Sequence, residues 1–371
     1  GLVEVGAPQS LLTDSAYRTF AEDSTINTRT RVVYMHANDG MVHAFNSDTG
    51  KEEWAFIPPN VLNYRRLMGT KLVSYDTWVS DDKRSIPRYL LDGPLIAEDI
   101  LLNGNYRTVL LGGLGRAGAG LYALDITVPE TPSFLWSLEN NVYDSQGMLR
   151  TENRTFLKWT GGNGTASSSL NTDASSSSTV PGRLRLTVST PFIGTVDLET
   201  LSGLETKWVA LLGAGAKNFP ALEEDEGGKA VIVLDMKDGS LEKEIIHNDL
   251  GSVVAPLSVE AGPRPMRIRK FYLGDDQGAI FEGDLSSYDK SEWGLGKVFA
   301  PGESVPESGL FTIPYAVEVG MIKNRKWLFW GTGDPDWLFG EREGQCYVFG
   351  MNRSLAGSSS FGMSDLPELV N

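Results

Sequence analysis

The sequence predicts an all-β protein built from one repeated four-stranded antiparallel unit, and three observations carry that expectation. The stretch "VVYMHANDGMVHAFNSDTGKEEWAF" (Val32 to Phe56) sets β-branched and aromatic runs around two polar turns, Asn38-Asp39-Gly40 and Asp48-Thr49-Gly50. Such runs favour a pleated, half-buried surface, and no helical period joins them. The pattern then recurs from Thr108 to Glu139, Lys207 to Ile245, Lys270 to Phe299 and Lys326 to Asn352. A proline leads each later copy, at Pro94, Pro191, Pro256 and Pro314, where the start of a strand needs no ladder donor. Five visible repeats of a four-stranded antiparallel sheet point to a β-propeller, taken as a single domain over residues 1–371.

Each unit is expected to run as a proline-led strand, an apolar strand ending at glycine (Gly112, Gly213, Gly274, Gly331), a return strand and an outer strand. The opening "LVEVGAP" matches "AVEVG" at Ala316 to Gly320 and is expected to be the first strand of the first copy. In the hairpin, Asp39-Gly40 suits a two-residue type I′ turn. That turn would set His36 directly opposite His43. Successive prolines lie 97, 65 and 58 residues apart, so insertions decorate the repeat. One covers 58–88, where "NVLNYRRLM" suits a short helix. Another covers 140–182 and holds "GGNGTASSSLNTDASSSSTVPG" (Gly161 to Gly182). This serine-rich, low-complexity stretch cannot bury a core and is expected to be an exposed loop. The sequons at Asn153 and Asn163 would suit a glycan-bearing or contact loop.

Composition narrows the function. With 371 residues, 41% of them hydrophobic and 22% charged, the chain has ample length for a core. A formal charge of −15 disfavours nucleic acid as a partner, because phosphates are repelled. The densest basic run, "RPMRIRK" (Arg264 to Lys270), suits a solvated strand edge. No apolar run is long enough to be a transmembrane segment. The opening Gly1-Leu2-Val3-Glu4 looks like a cut into a longer chain. Cys346 is the sole cysteine, so neither an intrachain disulfide nor a cysteine zinc site is available.

Little in the chain suits catalysis, and no catalytic residue is expected. The histidines are His36, His43 and His247. A cross-strand His36–His43 pair could hold a metal with one more ligand, although two hydrogen-bonding residues suit the pattern better. No nucleophile elbow is present. "GGLGRAGAG" (Gly112 to Gly120) lacks the following helix that a dinucleotide site needs; its glycines suit a tight bend between strands. The acidic stretches Glu223 to Gly228, Leu234 to Ser240 and Gly333 to Trp337 lack the alternating spacing that wraps oxygens around Ca²⁺. In "DPDWLFGERE" (Asp334 to Glu343), Trp337, Leu338 and Phe339 lie in a connection of the last unit. Exposed, they would anchor a partner; buried, they would be core.

Two resemblances follow from the motifs. "AFNSDTGKEEW" (Ala44 to Trp54) resembles the outer-strand motif of quinoprotein dehydrogenases, a packing device in which Trp and Gly lock neighbouring sheets. This gives the runner-up reading of a quinoprotein-like scaffold or enzyme. The wider match is elsewhere. Val32 to Leu62, "YLLDGPLIAEDI" (Tyr89 to Ile100), "RTVLLGGLGRAGAGLYALDIT" (Arg107 to Thr127), "YLGDDQGAIFEGDL" (Tyr272 to Leu285) and "WLFWGTG" followed by "QCYVFGM" stand in the order found in the C-terminal domain of PilY/PilC-type type IV pilus tip adhesins. The resemblance implies a modified, quinoprotein-like propeller of about seven blades. It implies a secreted, extracellular, non-enzymatic protein at the pilus tip, acting with minor pilins. Such a protein promotes pilus assembly against retraction, supports motility and attaches to surfaces or host cells. The chain is then expected to be a C-terminal fragment. It departs from the family in three places. His36 stands where a glycine is usual, and the serine-rich insertion is extra. The family's acidic calcium loop is replaced at Glu260 to Lys270 by "EAGPRPMRIRK", which offers one carboxylate among four cations. No cofactor is therefore expected, calcium included.

Overall fold

The computed structural model describes residues 1–61, 90–141, 154–160, 166–171, 182–216, 226–262, 266–301, 312–333 and 348–353. They form two compact units: Gly1–Val188 with the turn Met236–Ser240, and Ser189–Asp235 with Leu241–Asn371.

The first unit holds two antiparallel sheets. Strands β1 (Leu2–Val5), β2 (Val32–His36), β3 (Val42–Asn46) and β4 (Glu52–Phe56) are hydrogen-bonded in chain order. "LVEV" is thus the first strand of the first copy. Strands β5 (Leu95–Leu102), β6 (Asn105–Gly113), β7 (Gly120–Asp125) and β8 (Ser133–Asn141) repeat that order, and β9 (Arg154–Thr160) and β10 (Ala166–Asn171) extend it to six strands. The serine-rich stretch is therefore not all loop, because Ala166–Asn171 pairs antiparallel with β9. A ladder is made by backbone groups, so a strand added at a sheet edge needs no apolar side chains. The helix expected in "NVLNYRRLM" lies, beyond Val61, outside the described residues.

Between β1 and β2 the chain makes two helices that the sequence pattern did not announce, α1 (Ser15–Glu22) and α2 (Ser24–Asn27). Asp14 caps α1 by accepting the Tyr17 N–H, and Asp23 caps α2 by accepting the Thr25 N–H, each satisfying a donor that has no partner inside its helix. Tyr17 and Phe20, one turn apart, pack with Tyr106 of β6. The core of this unit joins both sheets through Tyr34, Val42, Leu110, Tyr122 and Leu124, all buried. Each such side chain contributes about 1.5–3 kcal/mol.

The β2–β3 hairpin corrects one expectation. Gly40 N–H donates to the Ala37 carbonyl and Ala37 N–H to the Met41 carbonyl, so Asn38-Asp39-Gly40 form a three-residue loop with Gly40 at φ +87°. That is a type I turn closed by a left-handed residue. The register moves by one: His36 faces Val42, and His43 faces Met35. Because side chains alternate faces, a one-residue shift separates the two histidines onto opposite faces.

The outer-strand tryptophans act as packing devices. Trp54 of β4 donates its indole N–H to the Pro129 carbonyl at 2.6 Å. Trp136 of β8, fully buried, donates to the Met236 carbonyl at 2.9 Å. Its ring lies where a Cβ on Gly239 would come within 2.6 Å.

The second unit holds three sheets, again in chain order: β11 (Phe192–Thr200), β12 (Gly203–Gly213), β13 (Val231–Asp235) and β14 (Leu241–Ile245); β15 (Ser258–Ala261), β16 (Ile268–Gly274), β17 (Ile280–Asp284) and β18 (Gly294–Phe299); and β19 (Glu318–Ile322), β20 (Arg325–Gly331) and β21 (Val348–Asn352). Val209, Leu211, Val233, Phe271, Leu273 and Phe281 build one core cluster; Tyr272, Ile280, Phe299, Leu328 and Trp330 build another. All four prolines precede the first strand of their sheet. Pro94 and Pro191 do so immediately, Pro256 two residues before Ser258, and Pro314 four residues before Glu318. Antiparallel sheets laid down in chain order make an all-β, propeller-like fold.

Candidate functional site

A polar cleft of about 530 Å³ opens in the first unit, between the segment Glu4–Ser10, the end of α2 and strands β5 and β6. Its organising group is Arg29, whose side chain is only 3% exposed. The guanidinium donates to the Gly6 carbonyl at 2.6 Å and to Thr108 Oγ1 at 2.7 Å, and its second arm stands 4.0 Å from Asp99. Asp99, also buried, accepts from Tyr17 Oη at 2.9 Å and from Thr108 Oγ1 at 2.6 Å. Tyr17 in turn accepts the Ser10 N–H. Helix α1 is thereby stitched to β5, which fixes the cleft wall. Burial lowers the Arg29 pKa against the pull of Asp99. Burial and the Asp99 carboxylate together raise the Tyr17 phenol. The phenol therefore stays a donor and the guanidinium stays its counter-charge.

Glu98 lines the same cleft. Its carboxyl accepts the neighbouring Asp99 N–H at 3.3 Å, and burial raises its pKa. The arrangement offers hydrogen-bonding and acidic surface. No histidine lines it. His36 is buried elsewhere: Nδ1–H donates to the Gly93 carbonyl at 2.9 Å, so Nε2 accepts from Tyr122 Oη at 2.6 Å. His43 sits between Glu52, at 2.6 Å, and Asp39, at 3.0 Å. His247 packs on Phe281. Among the described residues no group of three or more His, Cys, Asp or Glu could hold a metal ion.

At Glu260 to Lys270 two of the cations, Arg267 and Lys270, meet carboxylates. Glu260 pairs with Lys326 at 2.7 Å, Lys270 with Glu282 at 2.7 Å, and Arg267 with the buried Asp197 at 3.0 Å. Glu282 also accepts from Tyr272 and Arg353. Burial opposes its charge, but the Lys270 and Tyr272 hydrogen bonds prevail and pull its pKa down to about 2. Within the "RPMRIRK" run Ile268 is buried, Arg267 and Lys270 are neutralised, and Arg269 is exposed. Arg264 and the proposed contact residues Trp337, Leu338 and Phe339 lie outside the described residues. Sequence reasoning missed Arg29, Asp99 and Thr108. The only signals available were the Asp14 cap and the aromatic spacing that place α1 against β6.

Comparison with known proteins agrees with the fold. Residues 5–168 match the PilY1 beta-propeller domain. The chain is 41% identical over 140 residues to a type IV pilus biogenesis factor PilY1 homolog of Xylella fastidiosa, covering 36% of this chain and 10% of that protein. It is 35% identical over 131 residues to the type IV pilus biogenesis factor PilY1 of Pseudomonas aeruginosa, covering 35% and 10%. The matches thus span about a tenth of these relatives' length. The crystal structure of the Pseudomonas aeruginosa PilY1 C-terminal domain shares the fold, with a TM-score of 0.62 at 20% identity over 97% of this chain and 66% of that one.

Proposed function

We propose that this chain, a homologue of PilY1-type type IV pilus biogenesis proteins, is part of a pilus biogenesis factor and tip-associated adhesin. In this reading the sheets are consecutive blades of one propeller domain. The whole protein works outside the cell, with minor pilins, promoting assembly against retraction and attaching the pilus to surfaces or cells. The observation that carries the reading is the matched stretch at residues 5–168, which covers most of the first two sheets and of the cleft lining. A binding role also fits the chemistry: buried charged groups such as Arg29, Asp99 and Asp275 are tied into structural bonds, which leaves them holding loops in place.

Deleting the gene and counting surface pili tests the proposal. Pili should be lost, and should reappear when the retraction motor is also disabled. Unchanged piliation in the deletion strain overturns the reading. Reconstitution of the purified protein with the quinone should leave no stoichiometric bound chromophore; one that stays bound would favour the enzyme.

A further inference from the structure

The β19–β20 hairpin ends in Met321-Ile322-Lys323-Asn324-Arg325, all five exposed. Met321 is 67% exposed and Ile322 45%. Adjacent strand residues point to opposite faces, so the tip is apolar on both sides. Lys323 and Arg325 make no ion pair among the described residues. Their neighbour Lys326 does, with Glu260. The turn itself is unusual. Lys323 and Asn324 both have positive φ, +50° and +61°. The β5–β6 hairpin makes the same kind of turn with Asn103 and Gly104, residues that tolerate it; a lysine does so poorly. Residues held in sparsely populated conformations cluster at functional sites, and here the strained position carries a free cation at the apex.

We propose that this hairpin tip is a membrane contact, seating Met321 and Ile322 at the headgroup–acyl boundary of an anionic phospholipid bilayer with Lys323 and Arg325 on the phosphates. Exposed aliphatic side chains flanked by lysine and arginine are the combination such interfaces bind. The chain's net charge of −15 does not prevent this. Charges beyond about 8 Å are screened at physiological ionic strength. The paired strands carry one carboxylate, Glu318, at the far end of β19, and Glu260 of β15 is neutralised by Lys326. The aliphatic pair favours a bilayer over a soluble polyanion, which would use the cations alone. The proposal rests on the hairpin's own chemistry and stands apart from the pilus reading.

Co-sedimentation with vesicles tests it. The protein should bind vesicles of phosphatidylglycerol and phosphatidylcholine more tightly than vesicles of phosphatidylcholine alone, and less tightly as salt rises. K323S/R325S should lower partitioning by roughly thirtyfold, and M321S/I322S by about tenfold. N324G, which keeps a residue tolerant of positive φ beside the cations, should keep binding. L201S, on the exposed tip of the β11–β12 hairpin, should also keep it. Circular dichroism melts should be unchanged for all four variants, so that loss of binding is not loss of fold. Equal binding to both vesicle types, unchanged partitioning in either tip double variant, or an equal loss in L201S overturns the proposal.

Discussion

The pKa values of His36 and His43 shift in opposite directions because one ring is buried and the other lies between two carboxylates. Burial lowers the His36 pKa from 6.5 to about 4. Its stabilising contribution is therefore present above pH 6.5 and is lost as the pH falls toward 4. A shift of that size is worth roughly 3 kcal/mol. Replacing His36 with Gln should cost about 2–3 kcal/mol more at pH 7 than at pH 4.5, measured by urea unfolding at both pH values; a cost independent of pH would mean the ring is not held neutral. For His43, partial burial works against the charge, but Glu52 and Asp39 overcome it and raise the pKa. Its contribution is complete below pH 6.5 and is lost as the pH rises through the raised value, so His43→Gln should cost more at pH 6 than at pH 8.5. Glu282 behaves as a depressed carboxylate, with stability present above pH 4.5 and lost as the pH falls through about 2. At neutral pH Glu282→Gln should cost about 2 kcal/mol, because Lys270, Tyr272 and Arg353 all lose an ionised acceptor.

The outer strand is held by a tryptophan and the turn beneath it. Trp136 gives up its indole proton to Met236, and Gly239, at φ +72°, leaves room for the ring. Trp136→Phe should cost about 1–3 kcal/mol for the unsatisfied carbonyl. Gly239→Ala should cost about as much, through strain at positive φ and a contact of 2.6 Å. The two should be non-additive in a double-mutant cycle by roughly 1 kcal/mol, since they share one contact; simple additivity would show that the turn and the ring are independent. Elements of this kind were legible in the sequence. Apolar runs ending at Gly112, Gly213, Gly274 and Gly331 mark second strands because the glycine stands where the strand meets a tight bend. Loop length was less legible. Asn38-Asp39-Gly40 suits a two-residue and a three-residue hairpin equally, since both need a left-handed residue before the return strand. The serine-rich strand β10 left no pattern, because its pairing with β9 is made by the backbone.

At the scale of the whole molecule, sites are assembled from residues far apart in the chain, and this is where local patterns stop informing. Arg29, Asp99 and Thr108 meet only because the excursion through α1 and α2 folds back onto β5 and β6. The same long-range logic bears on calcium. A Ca²⁺ ion needs six to eight oxygens, with carboxylates free to turn toward it. Around Glu260–Lys270 the carboxylates already have partners. Glu260 holds Lys326 at 2.7 Å. Asp275 lies across the turn from β16 to β17. It accepts the backbone N–H groups of Gly251, Gln277 and Ala279, although burial still raises its pKa to about 6. Asp276 accepts from Ser252. Recruiting any of them would strand the half-buried Lys326 or several backbone donors, at about 1–3 kcal/mol for each donor. Chelation of calcium should therefore leave the melting temperature of the purified chain unchanged. The same melt repeated with millimolar calcium should superimpose on it. A calcium-dependent rise that disappears in Glu260→Gln would instead show that Lys326 yields its partner to the ion, and that the loop binds calcium through ligands brought from elsewhere in the chain.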